Sequence, residues 1–494
     1  MLKKTISIIG SGPSGFYTAY RLLKKSPIPI HIKLWEKLPV PFGLSRYGVA
    51  PDHPEVKNCE ETFKLCFKEH FNDYDYNNCT SSQDQQQQQQ NSIEFIGGVT
   101  VGGSHIKLKQ IIDNQDIVIF SYGCQSDRRL NIPGEQTTKG VFTSREFVNW
   151  YNGHFDYSLS EKFNNFPWSK VKNIGIIGNG NVALDLTRIL ISNQIDEIWN
   201  NTDISKIALK NLQNCNIKNI ELIARRDFLN SKFTNKELRE LWELEKYGIK
   251  GTINKEFFNK NQFDIKNMDR TLKRRVEMCD EYMKPFNERT KKNYKKFKPL
   301  DIVTKTWELD YLKTPLRINK DSNGYIKSLT LCHNIITPEN RVVPQLNEKI
   351  TYNIDLLITS LGYKGVPLPE FKSLDIGFQK DHISNVKGHV LSSSGNIIPG
   401  LYASGWIRRG SQGVIASTMQ DSFEVADTVI KDLATNLNGQ TNYPKKLNVE
   451  SIPHITWSQW ESLDKEEHRR GQLSSKPREK FLSIKDVQDH LSSL

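Results

Sequence analysis

The sequence has few cysteines, and their spacing excludes several classes of protein. The seven cysteines stand at positions 59, 66, 79, 124, 215, 279 and 332, and none forms a C-x-x-C pair with another. Zinc knuckles, iron–sulfur clusters and redox-active dithiols all need closely spaced cysteines. An odd number of scattered cysteines in a chain of 494 residues is typical of a reducing compartment. We therefore expect no metal site in this chain.

Long apolar runs and basic arms are also missing. No apolar run reaches the roughly 18–20 residues that a membrane-spanning helix needs. No basic arm or aromatic-rich RNA motif is present, so nucleic acid is not an expected partner. The formal net charge of +12 instead favours an anionic partner, either an acidic protein or a membrane surface contacted peripherally. Four residues, Met1 to Lys4, precede the first strand, and we therefore expect no typical targeting peptide in this text.

The sequence does contain a dinucleotide-binding turn at its start. Residues 4–15 read KTISIIGSGPSG, which predicts a strand, a turn with Gly10, Gly12 and Gly15, and a helix over about 16–25. The first glycine permits the tight turn, the second lets backbone approach a pyrophosphate, and the third lets helix and strand pack closely. Glu36 ends the next strand, where a carboxylate accepts hydrogen bonds from ribose hydroxyls and repels a 2′-phosphate. This turn predicts a site for FAD or NAD, whereas a purely structural turn is the weaker alternative.

A second turn of the same kind lies in the middle of the chain. Residues 173–186 read NIGIIGNGNVALDL, with glycines at 178 and 180 and alanine in the third place. The following strand ends in Arg225 and Arg226 instead of an acid. Two guanidiniums there would bind a ribose 2′-phosphate through charge-assisted hydrogen bonds. The alternative is a solvated arginine pair at a strand end, but the preceding turn favours an NADP site.

Two similar apolar strands predict how the domains are connected. DIVIFSYG at 116–123 and IDLLITSLGY at 354–363 each carry a glycine at or next to their C-terminal end, and each follows one of the two turns. We expect an α/β protein with two Rossmann-like domains, the NADP domain being inserted into the FAD domain. The polar, glutamine-rich stretch 72–92 is predicted to be a disordered insertion. The predicted domains are residues 1–124 and 365–494 for FAD, and residues 125–364 for NADP.

Several long motifs resemble one flavoprotein family. These are EKLPVPFGLSRYGVAPDHPEVKN, GIIGNGNVALDLTRIL, ARRDFLNSKFTNKELREL and LYASGWIRRGSQGVIASTMQDS. They closely resemble the adrenodoxin reductase family, the mitochondrial-type NADPH–ferredoxin reductases, whose fold is similar to that of glutathione reductase. The resemblance covers nearly the whole chain outside the insertion and a stretch from about 253 to 345. It implies a flavoprotein that passes electrons from NADPH through FAD to a small acidic iron–sulfur protein, in the mitochondrial matrix.

The resemblance also implies individual cofactor contacts. For FAD these are Ser14, Glu36, Leu44, Val101, Trp406, Gly413, Val414 and Ile415. For NADP they are Asn179, Gly180, Asn181, Val182, Arg225, Arg226, Glu237 and Gly413. Residues 413–415 also precede an expected helix, whose N–H groups would stabilise an anionic reduced flavin, whereas Trp406 is equally well explained as a core aromatic residue.

This chain differs from the family pattern after the arginine pair. Asp227 stands where the family has glycine, and an acid there should weaken NADPH binding slightly unless it points away. Serine at position 14 replaces the family's alanine, which is a small change. His53, in APDHPEVK, is either a group near the flavin or a residue that holds its loop.

The acidic partner should dock on basic side chains. The resemblance points to Arg239, Lys273, Arg274 and Arg275 as the docking residues, and a solvated basic helix is the alternative. Steering by complementary charge would then assist association. The resemblance implies that the electrons serve P450 hydroxylation or iron–sulfur cluster assembly.

Three alternative functions fit these residues less well. A disulfide reductase requires a dithiol pair beside the flavin, and no C-x-x-C or C-x4-C is present. The small subunit of glutamate synthase shares these motifs but carries cysteine clusters for iron–sulfur centres. A non-enzymatic NADP-sensing protein that works through the glutamine tract would not need two intact nucleotide motifs.

Overall fold

The computed structural model describes residues 3–70, 90–435 and 447–494. The chain folds into two compact units, of which the first comprises residues up to 126 and from 362 onward, and the second residues 127–361. Most of the glutamine-rich stretch, residues 72–89, lies outside the described residues. No helix in the described ranges combines the length and apolarity needed to cross a membrane.

The strands are labelled in chain order. They are β1 Lys4–Ile9, β2 Ile30–Trp35, β3 Ser92–Ile96, β4 Ile117–Phe120, β5 Ser126–Asp127, β6 Val141–Thr143, β7 Asn173–Ile177, β8 Asn219–Ile223, β9 Ile249–Ile253, β10 Lys305–Asp310, β11 Lys313–Lys320, β12 Ile326–Ile336, β13 Val342–Asn353, β14 Leu356–Thr359, β15 Tyr363–Lys364, β16 Phe378–Gln379, β17 His382–Ile383, β18 Asn385–Val386, β19 His389–Leu391 and β20 Ile397–Ala403.

The α-helices of the described ranges are given by their bounds. They are Pro13–Lys25, Leu44–Tyr47, Cys59–His70, Leu108–Asn114, Ser144–Tyr151, Glu161–Asn164, Asn181–Ile191, Asp196–Trp199, Lys206–Gln213, Asn235–Trp242, Arg270–Met283, Trp406–Arg409, Ile415–Ala434, Trp457–Gln472 and Ile484–Ser492.

The first unit is built on a seven-stranded sheet in the order β18-β19-β20-β4-β1-β2-β3. Strands β3, β2, β1, β4 and β20 run parallel, and β19 and β18 continue the edge antiparallel. The central strands carry residues buried on both faces, as a parallel sheet covered by helices requires. The helices Pro13–Lys25 and Ile415–Ala434 pack against each other beside this sheet.

The second unit contains a six-stranded parallel sheet in the order β6-β14-β7-β8-β10-β9. A separate antiparallel sheet, β11-β12-β13, is formed by the segment of chain between β10 and β14. Ile177 and Ile223, at the ends of β7 and β8, belong to the same buried cluster as Leu329 and Leu331 of β12. The apolar ends of the parallel strands therefore pack against the antiparallel sheet.

The predicted α/β class is confirmed. The two apolar strands predicted from the sequence are β4 and β14, and they hold equivalent positions in their two sheets. Strand β4 pairs with β1 in the first unit, and β14 pairs with β7 in the second. The chain passes between the compact units at 126/127 and 361/362, a few residues after each of these strands. Each of these strands thus pairs with the strand that precedes a glycine turn, shortly before the chain leaves that unit.

The predicted insertion was too long at its C-terminal end. Residues 90–92 are described, and Ser92 is a buried residue that begins β3. The side chain of Asn91 donates to the carbonyl oxygen of Leu23 at 2.7 Å and accepts from the backbone N–H of Ile30 at 3.0 Å. Composition alone could not reveal these bonds, because Asn and Ser are equally common in polar loops.

Candidate dinucleotide-binding sites

The first glycine turn leaves backbone open where a phosphate would lie. Gly10 has a φ of +108°, and a Cβ there would be 2.5 Å from the Cα of Tyr122. A Cβ on Gly12 would meet no atom within 4 Å. Gly15 lies in the first turn of the helix, where a Cβ would clash with the carbonyl oxygen of Gly10. Two of the glycines are therefore required by the protein itself, while Gly12 faces space that a ligand could use.

The helix that follows presents free backbone donors to this space. It starts at Pro13 with Gly12 as N-cap, and it has neither a capping side chain nor an acid in its first turn. Proline at the first position lacks an N–H that a helix would leave unpaired in any case. The remaining N–H groups and the positive end of the helix dipole suit a pyrophosphate.

Glu36 is held in place by hydrogen bonds from the turn and from the segment that follows it. One of its carboxylate oxygens accepts from the backbone N–H of Ser11 at 3.1 Å and from the Ser11 hydroxyl at 2.8 Å. The other oxygen accepts from the N–H of Leu38 at 3.1 Å. A carboxylate can accept about four hydrogen bonds. Three are already made, so Glu36 keeps room for one further donor.

A loop from the PFGL motif covers the same turn. The N–H of Phe42 donates to the carbonyl oxygen of Ser11 at 2.9 Å. A Cβ on Gly43 would lie 3.1 Å from the Cα of Gly12. Leu44 then begins a short helix and is half-buried. The structure thus brings Leu44 next to the glycine turn, whereas buried Val101 comes from a separate loop that bridges to Ile106.

Four buried hydroxyl groups join the two helices of the first unit. The Ser14 hydroxyl lies 2.8 Å from that of Ser404 and 3.1 Å from that of Ser422, and Thr18 lies 3.1 Å from Ser404. All four residues are at most 6% exposed. Ser14 therefore bonds inside the protein through its side chain and has only its backbone N–H to offer a ligand. The motif comparison did not single out Ser404 or Ser422, because single serines carry no spacing signal.

Trp406 follows this cluster and has an unused donor. Its indole Nε1 is buried and has no hydrogen-bond partner in the described part of the chain. Tyrosine and tryptophan polar groups normally find a partner when buried. The unpaired N–H is available to a cofactor acceptor, the role that the resemblance implies, although the Nε1 groups of Trp150, Trp242, Trp307 and Trp460 are also buried without a partner among the described residues.

Residues 413–415 lead into the helix Ile415–Ala434. Gly413 has a φ of +83°, and the helix Ile415–Ala434 has no capping side chain and no acid in its first turn. Val414 is 56% exposed. This end of the helix can therefore receive negative charge, as expected. His53, in contrast, is a buried residue whose N–H donates to the carbonyl oxygen of Ala50 at 3.0 Å.

The second glycine turn repeats the geometry of the first. Gly178 has a φ of +137°, and a Cβ there would clash with the carbonyl oxygen of Ser360. A Cβ on Gly180 would meet no atom within 4 Å. The helix Asn181–Ile191 starts directly after it without an acid in its first turn. This turn again leaves its middle glycine open to a ligand.

Side chains of the turn are tied to the segment after the arginine pair. Asn179 Nδ2 donates to the Ser231 hydroxyl at 2.9 Å, and Asn181 Oδ1 accepts from the N–H of Thr234 at 2.7 Å. Val182 is half-buried in the first turn of the helix. The two asparagines therefore fix the turn and leave mainly their backbone groups for a ligand.

Arg225 and Arg226 follow β8 but have different surroundings. Arg225 is exposed, and its side chain has no hydrogen bond or ion pair with any described residue. Arg226 Nη1 donates to Asn230 Oδ1 at 3.2 Å and to Asn340 Oδ1 at 3.4 Å. Both acceptors are neutral amides, so the positive charge of Arg226 is not compensated by them.

Asp227 does not neutralise the arginine pair. Its Oδ1 accepts from the backbone N–H of Asn230 at 3.1 Å and from Asn230 Nδ2 at 2.8 Å, and it caps the short 3-10 helix Phe228–Asn230. This use of the carboxylate explains why an acid is tolerated beside the arginine pair.

Glu237 is fixed by a buried arginine. Thr234 caps the helix Asn235–Trp242 by accepting from the N–H of Glu237 at 3.4 Å. Arg188 Nη1 lies 3.3 Å from Glu237 Oε2, and Arg188 Nη2 lies 2.9 Å from Asp185 Oδ1. The guanidinium is 4% exposed, so Glu237 is held in one orientation.

Comparison with known proteins supports the first turn and finds relatives over nearly the whole chain. Residues 8–75 match the family model of the NAD(P)-binding Rossmann-like domain. The chain is 60% identical to the probable mitochondrial NADPH:adrenodoxin oxidoreductase of Saccharomyces cerevisiae, over 98% of this chain and 96% of that protein. It is 33% identical to the human mitochondrial NADPH:adrenodoxin oxidoreductase, over 98% and 91% of the two chains.

The chain belongs to the NADPH:adrenodoxin oxidoreductase family.

A solved structure extends the likeness to the fold. The structure of Mycobacterium tuberculosis FprA in complex with NADPH matches with a TM-score of 0.79 and 27% identity, covering 99% of this chain and 100% of that one. The resemblance inferred from the motifs is therefore confirmed. The family consists of FAD- and NADP-dependent oxidoreductases, and the fold is the one that they share.

The basic residues predicted to dock a partner differ in accessibility. Arg239 and Arg274 are exposed, and Lys273 is half-buried with its Nζ donating to the carbonyl oxygen of Lys266 at 3.0 Å. Arg275 is buried, and including it among surface contacts was wrong.

The guanidinium of Arg275 is used inside the second unit. It donates to the carbonyl oxygens of Ser231 and Phe233 at 2.9 and 2.7 Å, and to Asn235 Oδ1 at 3.2 Å. Three consecutive basic residues on one helix necessarily point in different directions. In this helix the third of them, Arg275, is the one that faces the core.

Proposed function

We propose that this chain transfers electrons from NADPH, through FAD, to a small acidic [2Fe–2S] protein of the adrenodoxin type. The observation that carries this proposal is the pair of glycine turns, each with its middle glycine facing open space. One turn is followed by a carboxylate and the other by two arginines with uncompensated charge. The relatives named above are mitochondrial NADPH:adrenodoxin oxidoreductases, and we place this chain in the mitochondrion with them.

The first unit holds FAD in this proposal. The pyrophosphate is received by the turn, the ribose by Glu36, and the flavin region by Trp406 and the helix start at Gly413. Bound FAD would supply the redox chemistry, accepting an electron pair from NADPH and delivering single electrons. The residues assigned to FAD are Gly10, Gly12, Ser14, Gly15, Glu36, Leu44, Val101, Trp406, Gly413, Val414 and Ile415.

The second unit selects NADPH over NADH. The turn residues present backbone groups to the pyrophosphate, and Arg225 and Arg226 bind the 2′-phosphate. A carboxylate at that position would repel the phosphate, and two guanidiniums attract it. The residues assigned to NADP are Asn179, Gly180, Asn181, Val182, Arg225, Arg226, Glu237 and Gly413.

The second unit also offers the docking surface, defined here as Arg239, Lys273 and Arg274. These residues lie on the helices Asn235–Trp242 and Arg270–Met283, which pack against each other. An acidic electron carrier would be steered to them by charge, and it would dissociate readily after transfer because exposed ion pairs contribute little to affinity.

Spectroscopy of the purified chain tests the proposal. The protein should be yellow, should bleach on anaerobic addition of NADPH, and should respond much less to NADH. It should reduce cytochrome c rapidly only when an adrenodoxin-type protein is added. A colourless protein that also fails to take up added FAD would overturn the proposal, as would bleaching by NADPH with no transfer to any [2Fe–2S] protein.

A further inference from the structure

The antiparallel sheet of the second unit contacts the arginine pair. Asn334, near the end of β12, is 5% exposed, and its Nδ2 donates to the carbonyl oxygen of Arg225 at 2.8 Å. Its Oδ1 accepts from the hydroxyl of Thr314 at 2.9 Å, and its backbone N–H donates to the carbonyl oxygen of Leu312 at 2.8 Å. Asn334 is thus fixed on three sides and holds the backbone of the first arginine.

The turn that follows β12 reaches the second arginine. Asn340 stands at the tip between β12 and β13 with a φ of +59°, a conformation that asparagine tolerates better than most residues. Its backbone N–H donates to the carbonyl oxygen of Thr337 at 2.8 Å, which closes the turn. Its side-chain oxygen accepts from Arg226 Nη1 at 3.4 Å.

Asn230 holds the same nitrogen of Arg226 from the other direction. Its Nδ2 donates to Asp227, which leaves its Oδ1 to accept from Arg226. The amide can orient only one way if both bonds are made. Asp227 therefore acts on the arginine through an amide that carries no charge, and Arg226 is oriented without being neutralised.

We propose that Asn230 and Asn340 are positioning residues for Arg226, and that the β12–β13 turn thereby helps to set how strongly this site prefers a 2′-phosphorylated dinucleotide. This inference rests on the proposed role of Arg225 and Arg226. Neutral acceptors suit the role because a carboxylate in either place would compete with the phosphate for the guanidinium. The turn lies within the stretch, from about 253 to 345, that the family motifs do not cover.

The test replaces the side-chain amide of Asn340 with residues that preserve the β12–β13 turn. Asn340→Gly tolerates the positive φ and loses the acceptor, and Asn340→Asp keeps the size and adds a charge. Asn323→Gly is the matched control, since Asn323 is exposed in the turn before β12, at the other end of that strand. The measurements are KM for NADPH and for NADH, and inhibition by adenosine 2′,5′-bisphosphate against inhibition by AMP.

The expected changes are specific to the 2′-phosphate. Asn340→Gly should raise KM for NADPH about two- to tenfold, the effect of one modest hydrogen bond. Asn340→Asp should raise it further, with NADH, AMP and kcat changed little in both variants. Adenosine 2′,5′-bisphosphate should inhibit more strongly than AMP by a smaller factor in both variants. This factor should decrease more in Asn340→Asp than in Asn340→Gly.

Other outcomes separate this inference from the function on which it rests. If Arg226→Ala abolishes the preference for NADPH but Asn340→Gly and Asn340→Asp leave it intact, the positioning role is wrong and the arginine clamp stands. If Arg225→Ala and Arg226→Ala themselves leave the preference unchanged, the clamp is wrong and the positioning role fails with it. Equal weakening of NADPH and NADH in the Asn340 variants would show a purely structural turn.

Discussion

At the scale of single residues, the two arginines after β8 are the clearest determinants of nucleotide choice. Arg225 has no charged partner among the residues described, and Arg226 is bonded only to neutral amides. Two neighbouring guanidiniums without a charged partner can both donate charge-assisted hydrogen bonds to an anion.

Replacing both arginines should therefore change nucleotide preference more than activity. The double variant Arg225→Ala, Arg226→Ala should raise KM for NADPH by about 10- to 150-fold, the equivalent of roughly 1.5–3 kcal/mol for a charge-assisted contact. KM for NADH should stay nearly constant. Steady-state kinetics with ferricyanide measure both, with Arg317→Ala as control because Arg317 is an exposed arginine on β11. Equal loss with both nucleotides would mean that the pair is structural.

The two open glycines provide a second residue-scale prediction. A Cβ on Gly12 or Gly180 meets no protein atom within 4 Å, and both residues have φ values that alanine adopts, −76° and −126°. Gly12→Ala should fold normally yet lose bound FAD, and Gly180→Ala should keep FAD yet bind NADPH poorly. Flavin absorbance after gel filtration and NADPH titration distinguish the two. A Gly12→Ala protein that retains full flavin would show that no phosphate lies against this turn.

At the scale of secondary-structure elements, neighbouring strands place carboxylates side by side. Glu221 of β8 is in register with Glu308 of β10, and its Oε1 accepts from Asn219 Nδ2 at 2.6 Å. Burial raises the pKa of Glu221 to about 7, and the charges of Glu308 and Asp310 add to the increase. Like charges directly opposite each other on paired strands are destabilising.

The raised pKa of Glu221 gives stability a predictable pH dependence. The folded protein holds a proton that the unfolded chain releases above about 4.5, so stability is lost as pH rises from about 4.5 to about 7. Glu221→Gln stays neutral and should raise Tm above pH 7 by roughly 4–8 °C, for a gain on the order of 2 kcal/mol, and change it little at pH 4.5. Thermal unfolding across this range checks the prediction. Exposed Glu348→Gln should show no such difference, and a Tm gain independent of pH would contradict the assignment.

A second element-scale prediction concerns the glutamine-rich stretch before β3. His70 and Gln90, on either side of residues 71–89, line one surface cavity, so a short linker can join them. Replacing residues 72–89 by a few glycines and serines should preserve FAD content and ferricyanide reduction, since loop length costs little in closure entropy.

Extending the deletion by two residues should be harmful. Removing Gln90 and Asn91 as well eliminates the bonds from Asn91 to Leu23 and Ile30. The longer deletion should lower Tm and flavin retention relative to the shorter one. Loss of FAD in the shorter variant would instead show that the polar stretch is needed for the fold.

At the scale of the whole molecule, the net charge of +12 bears on association with an acidic partner. Reduction of cytochrome c through an adrenodoxin-type protein should fall steeply with added salt, because screening shortens to about 8 Å at physiological ionic strength. Reduction of ferricyanide needs no docked protein and should change little.

Charge reversal on the docking surface should likewise slow the partner-dependent reduction of cytochrome c and leave ferricyanide reduction nearly unchanged. Arg239→Glu with Arg274→Glu should slow the partner-dependent reaction, chiefly through KM for the partner. Lys372→Glu with Lys485→Glu makes the same change in net charge on exposed residues of the first unit and is the matched control. Equal effects of the two pairs would mean that only total charge matters, and loss of ferricyanide reduction would indicate damage to a cofactor site.

The class of fold, the two nucleotide turns and the family could all be predicted from the residues along the chain. Glycine spacing after an apolar strand has few structural solutions, because Gly10 and Gly178 need positive φ and close packing that other residues cannot provide. The carboxylate and the arginine pair follow at fixed distances along the chain for the same reason. The first helix begins at Pro13, about three residues before the predicted start.

The contacts that individual polar side chains make became apparent only in the tertiary structure. Arg275 looked like its exposed neighbour Arg274, yet it is buried against backbone carbonyls. Asp227 looked like a competitor of the phosphate, yet it orients Asn230. Asn340 lies 114 positions from Arg226 in sequence and carried no signal at all. Spacing along the chain encodes contacts within one turn, whereas these bonds join segments that meet only after the sheets have formed, and their partners are set by packing.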